Sequence, residues 1–79
     1  MRLDKYLKVS RLIKRRTIAN QACDADKINV NGKVARASYN VKIGDTIEIC
    51  MGRTPLTVKV VSITEKVGKD AAAEMYEVV

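Results

Sequence analysis

Over roughly the first 27 residues the apolar positions recur at intervals of three and four, and beyond them they alternate. Leu3, Tyr6, Leu7 and Ser10 share one helical face with Val9 and Ile13 beside them, while Asp4, Lys5, Lys8, Arg11 and Arg15 fall on the other side. This predicts an amphipathic helix with a basic outer face. Leu12 lies off the apolar stripe, so the helix is expected to bend or end there. Lys14, Arg15 and Arg16 then form a short connector, and Thr17 takes the N-cap of a second helix. Ile18, Ala19, Ala22 and Ala25 give that second helix a face of small side chains that lets the two helices approach closely. Asp24 and Asp26 fall near its end, where the helix dipole disfavours anions, and Asp26 is placed to take the left-handed conformation usually given to glycine.

From Ile28 the period is two. Ile28 and Val30 alternate with polar residues, Asn31-Gly32 supplies a turn pair tolerant of positive φ, and Val34 resumes on the far side, which predicts a hairpin. Val41 and Ile43 lead through Gly44-Asp45 into a strand in which Ile47, Ile49 and Met51 alternate with Thr46, Glu48 and Cys50. A further strand is expected through Val58, Val60 and Val61 to Ile63, separated from the previous one by Gly52 and Pro55. Val67-Gly68-Lys69 marks a loop, Asp70 is placed to cap a helical turn from Ala71 to Met75, and Tyr76 to Val79 closes as an edge strand. The fold class is therefore α+β: a helical part over about 1–27 and a β part over about 28–79, within a single domain of 79 residues.

Composition sharpens this. With no Phe or Trp and 4% aromatic residues, the core must be built from Leu, Ile, Val, Ala and Met, which predicts modest stability. No apolar run approaches the roughly 18 residues that cross a bilayer, and the start lacks the apolar stretch and cleavage site of a signal peptide, so a cytoplasmic protein without membrane contact is expected. Cys23 and Cys50 are not spaced as a metal or redox pair and there is no histidine, so both are expected to be small buried hydrophobes; a reactive thiol would need an exposed electropositive setting. The net charge of +6 is localised. Residues 1–20 hold seven Lys and Arg against Asp4 alone, whereas the rest of the chain carries eight of each sign. Segregated charge of this kind indicates an oriented face for a polyanion.

Candidate chemistry follows from that face. Without histidine, a phosphate-cradling glycine loop or a metal cluster, no enzyme, metal or cofactor is expected. The cations Arg2, Lys5, Lys8, Arg11, Lys14, Arg15 and Arg16, together with Thr17, are suited to following a phosphate backbone. Arg16 is the strongest candidate, because a guanidinium beside the N–H groups of a helix start combines two anion-binding devices. Two roles are open to Asp4: a first-turn anion paired with Lys8, or a group that orients Arg16 or accepts a nucleotide hydrogen bond. Tyr6 fits the core better than a base-stacking platform. Asn31, Lys33 and Arg36 extend the contact surface from the hairpin, unless Asn31 is there for its turn chemistry and the other two are merely solvated.

Four segments carry a family likeness: Arg2 to Leu7 (RLDKYL), Lys14 to Thr17 (KRRT), Ile28 to Val34 (INVNGKV), and Ser38 with Val41-Lys42 and Gly44-Asp45. In order and spacing they resemble the RNA-binding domain named after small-subunit ribosomal protein four. The opening resembles most the short Firmicutes-type quality-control members of the ribosome-associated heat-shock protein group. The resemblance implies two helices packed on a small, bent, mainly antiparallel sheet, with RNA gripped at Arg2, Asp4, Lys5, Lys8, Lys14, Arg15, Arg16 and Thr17. It further implies a ribosome-associated role: contact with rRNA of the large subunit and with its peptidyl-tRNA, beside a protein that tails stalled nascent chains with alanine. The chain departs from the family where Asp26-Lys27-Ile28 replaces a commonly glycine-containing run, which bears on the turn, and contacts through a basic C-terminal tail, as in some relatives, are not expected. A monomer is expected. The competing expectations are a general structured-RNA or DNA binder and a protein-interaction module using the same basic face.

Overall fold

A computed structural model describes residues 1–64 and 72–79. The elements are α1 (Leu3–Val9), α2 (Arg16–Asp24), β1 (Ile28–Val30), β2 (Lys33–Val34), β3 (Thr46–Ile49), β4 (Leu56–Val60), a 3-10 turn (Ala72–Met75) and β5 (Tyr76–Val78). The strands form one sheet in the order β2-β1-β3-β4-β5 with antiparallel neighbours throughout. The expected α+β architecture is thus observed. The loop at Val67-Gly68-Lys69 and the cap at Asp70 lie outside the described residues.

α1 buries Leu3, Tyr6 and Leu7, and α2 buries Ala19, Ala22 and Cys23, against Ile28, Val30, Ile47, Ile49, Val58 and Val60 of the sheet in one cluster. Tyr6 is fully buried and donates its hydroxyl to the Met75 carbonyl at 2.8 Å, tying the first helix to the C-terminal turn. It is core, as its place on the apolar stripe predicts. The buried face of α2 differs from the expected one: Ile18 is 39% exposed and Ala25 is the exposed C-cap, while Cys23 takes the buried place.

The ends of the helices are set by left-handed residues. Arg11 adopts φ 63 just after α1, and the chain turns back so that the Ile13 N–H reaches the Leu7 carbonyl at 3.0 Å. α2 closes in a Schellman arrangement: the Asp26 N–H bonds to Cys23 O, the Lys27 N–H to Ala22 O, and Asp26 has φ 60. The turn that glycine often makes in the family is retained with an aspartate in its place. At the other end, the Ala19 N–H bonds to the Arg15 carbonyl, which makes Arg15 the N-cap and starts the helix at Arg16. Thr17 is therefore a first-turn residue rather than the cap, and Arg16 belongs to the helix rather than the connector.

In the hairpin, Asn31 and Gly32 both take positive φ, 53 and 83, the type I′ geometry that suits twisted strands, and Val30 pairs with Lys33 across it. Two strand boundaries move. Met51 lies beyond β3 and is 39% exposed, and β4 starts at Leu56 and stops at Val60, leaving Val61 44% exposed.

Candidate nucleic-acid interface

α1 begins without a side chain on its N-cap residue bonding to it; its first two N–H groups are satisfied by another segment. The Leu3 N–H donates to Tyr39 O at 2.8 Å and the Asp4 N–H to Ala37 O at 3.2 Å, while the Val41 N–H donates to Met1 O at 2.8 Å. The terminal ammonium adds a bond to Asn40 Oδ1 at 2.8 Å. This pairing holds the start of α1 against the chain that follows β2, and so fixes where Arg2 and Asp4 emerge.

That second segment is itself held. Asp45, nearly buried, accepts the Tyr39 hydroxyl at 2.9 Å, the Lys42 N–H at 2.9 Å and Asn31 Nδ2 at 3.1 Å. Burial opposes its ionisation, but these donors and the Lys42 charge outweigh burial and hold its carboxyl below the usual range. Asn31 also accepts the Thr46 N–H at 2.9 Å. Its side chain thus bridges the hairpin turn to Asp45 and Thr46.

Asp4 is 2% exposed and lies between the helices. Its carboxylate accepts the Lys5 N–H at 2.8 Å, Arg2 Nε at 3.2 Å, Arg16 Nε at 3.3 Å and Asn20 Nδ2 at 3.4 Å. Burial raises its pKa, and Arg16, Arg2, Asn20 and the Lys5 N–H together more than reverse this, leaving the carboxyl below its ordinary value. Within the chain, Asp4 is paired with Arg2 and Arg16, and no ion pair with Lys8 occurs among the described residues. Both guanidinium side chains remain about half exposed, 51% for Arg2 and 47% for Arg16. One buried anion thus holds two arginines at the surface with part of their donor sets turned outward.

Arg16, Thr17, Asn20 and Gln21 line, with Asp4, an open cleft of about 430 Å³ at the start of α2. The first turn of α2 carries no acidic residue and no side-chain cap, so its N–H groups add positive potential beside Arg16. Asn20 and Gln21 were not singled out from sequence. Asn20 stands four residues after Arg16 and so shares its helical face, which is the signal that points to it. Lys8 on α1 and Arg11, Lys14 and Arg15 in the segment between the helices are exposed, and Lys5 is half-buried; none of them lines the cleft. Lys33 and Arg36 are not brought to the cleft; they line a separate groove beside β2.

The remaining candidates are quiet. Cys23 is buried, and burial followed by the charges of Asp4 and Asp24 pushes its thiol up to about 11. Cys50 is half-buried, not fully buried as expected, and donates to Glu48 Oε1 at 3.4 Å.

The family model described as the S4 domain matches residues 1–47, the part of the chain that holds both helices and this cleft, and so gives the class of protein. A solved trimeric structure of Vibrio cholerae heat shock protein 15 superposes with a TM-score of 0.92 at 30% identity, covering 100% of this chain and 81% of that one. Full-length similarity is higher elsewhere. The RQC P-site tRNA stabilizing factor of Streptococcus pneumoniae is 49% identical over 79 residues, covering 100% of this chain and 90% of the relative. That of Halalkalibacterium halodurans is 51% identical over 78 residues, covering 99% and 89%. Heat shock protein 15 of Escherichia coli is 33% identical over 78 residues, spanning 59% of that protein. The chain belongs to the S4-domain family and, within it, to the group of RQC P-site tRNA stabilizing factors.

Proposed function

We propose that this protein binds structured RNA through the cleft between α1 and α2, and that its target is the large ribosomal subunit carrying peptidyl-tRNA in ribosome-associated quality control. The observation that carries the proposal is the buried Asp4 carboxylate beneath Arg2 and Arg16. A surface that needed only solubility has no use for a buried anion that organises two half-exposed guanidiniums. Recognition of phosphates at a fixed spacing does. The relatives named for stabilising P-site tRNA support tRNA and adjoining rRNA as the ligands. In the finer version of the proposal, holding the tRNA supports C-terminal tailing of the stalled chain with alanine by a partner protein on the same subunit. The protein itself acts as a non-catalytic, cytoplasmic binding factor.

Arg2, Arg16, Thr17 and Asn20 are placed to touch RNA directly, with Lys5, Lys8, Arg11, Lys14 and Arg15 contributing the surrounding field. Asp4 acts by positioning. Sedimentation of lysate from cells with stalled ribosomes tests the assignment: the protein is expected on free large subunits, and Arg16→Ala is expected to leave them while remaining folded, with a melting temperature lowered only by the loss of one partner of Asp4. Absence of the unaltered protein from large subunits refutes the ribosomal role. Affinity for RNA should fall with salt, with about −0.7 to −0.9 in the log–log slope for each phosphate contacted; a flat plot refutes phosphate recognition altogether.

A further inference from the structure

The balanced charge of residues 21–79 conceals a second asymmetry. Between Asp26 and Asp45 the chain carries Lys27, Lys33, Arg36 and Lys42 and no Asp or Glu; the eight carboxylates of this part of the sequence all lie outside that interval. Lys33 and Arg36 are exposed, line a common groove of about 640 Å³, and make no ion pair with a described residue. Between them in sequence stands Val34, a strand residue that nevertheless leaves 56% of its surface in solvent. Ser38 and Tyr39 also line it. The Tyr39 side chain is half-buried and anchored by its hydroxyl on Asp45 at 2.9 Å, so it presents a fixed surface.

A site for phosphate alone requires donors, not an open valine and an immobilised aromatic side chain. A groove lined by both apolar side chains and two cations matches an unpaired nucleotide, whose base has an apolar face and whose phosphate is an anion. Though separate from the helix cleft, the segment that lines the groove is tied to α1 through the backbone. Tyr39 O accepts the Leu3 N–H and Ala37 O accepts the Asp4 N–H, so the groove wall is hydrogen-bonded to the helix bearing Asp4.

We propose that the groove between Lys33, Val34, Arg36 and Tyr39 seats one unpaired nucleotide of the RNA held by the helix cleft, its base over Val34 and Tyr39 and its phosphate at the two cations. This rests on the RNA-binding role proposed above. The full chain is titrated, by fluorescence anisotropy, with a blunt RNA hairpin, the same hairpin with a single-stranded uridine overhang, and the hairpin with an abasic overhang. The uridine overhang is expected to tighten binding about tenfold over the abasic one. Val34→Ser should erase that advantage without changing affinity for the abasic probe, and Lys33→Ala with Arg36→Ala should weaken both overhang probes. Equal affinity for uridine and abasic overhangs, or a full uridine advantage in Val34→Ser, overturns the proposal. So does an outcome in which the double charge variant loses only affinity for polyglutamate, which would make the groove a protein site. Arg16→Ala on the blunt hairpin keeps the two ideas apart: indifference there refutes the helix cleft, whereas the overhang comparison refutes the groove alone.

Discussion

Replacing Asp4 with asparagine separates charge from position, because the two make opposite predictions. The carboxylate is 2% exposed and serves Arg2, Arg16, Asn20 and the Lys5 N–H. An asparagine keeps the shape, but its amide group would face other donors on one side. Breaking a fully buried ion pair costs about 3–5 kcal/mol. Here both guanidiniums are about half exposed and regain water, so the loss is nearer that of hydrogen bonds to a charged group discounted for screening, about 2 kcal/mol. For a domain of this size that lowers Tm by about 8–16 °C, measurable by circular dichroism. The pH dependence follows from the depressed folded-state pKa. The carboxylate stabilises the fold above its unfolded value, about 4, and this contribution is lost as pH falls through the lower folded value. The gap between wild type and Asp4→Asn should therefore narrow below about pH 4. Removing a negative charge by itself strengthens attraction to RNA. Releasing Arg2 and Arg16 weakens it, by about 0.5–1.5 kcal/mol for each side chain that must be ordered on binding. Affinity measured below the melting transition is expected to fall. Tighter RNA binding with an unchanged Tm would refute the positioning argument.

Asp26→Gly should raise Tm, because relief of the left-handed strain at φ 60, about 1–2 kcal/mol, exceeds the extra chain entropy of glycine; a lowered Tm would show that the aspartate side chain contributes something that strain does not outweigh. Tyr6→Phe should cost only about 1 kcal/mol in denaturant unfolding, since the Met75 carbonyl keeps the N–H groups of Val61 and Ser62 and is not stranded; a loss of several kcal/mol would mean that the hydroxyl organises more than one bond. In the native protein at pH 8, a disulfide-exchange reagent should modify half-exposed Cys50 before Cys23, whose thiol is buried and pushed up to about 11. Equal rates at the two thiols would indicate that α2 opens readily.

What the sequence determined by itself is what short-range physics controls. The helical stripe through Leu3, Tyr6 and Leu7, the hairpin at Asn31-Gly32, the left-handed Asp26 and the basic N-terminal face all follow from side-chain period, φ preference and charge within a few residues. The start of α2 at Arg16 was not legible, because Thr17 is the better intrinsic cap and no local signal reports where the helix meets its neighbour. Tertiary structure decided the rest, and distance along the chain is the reason. Asp4 and Arg16 are twelve residues apart and Asp4 and Asn20 sixteen, so only the packing of α1 on α2 chooses Arg16 over Lys8 as partner for the carboxylate. Likewise, the bond from Leu3 to Tyr39 ties the start of α1 to the segment after β2 across the fold. Charge content sets what kind of molecule can be attracted; the burial of one aspartate sets where two arginines point.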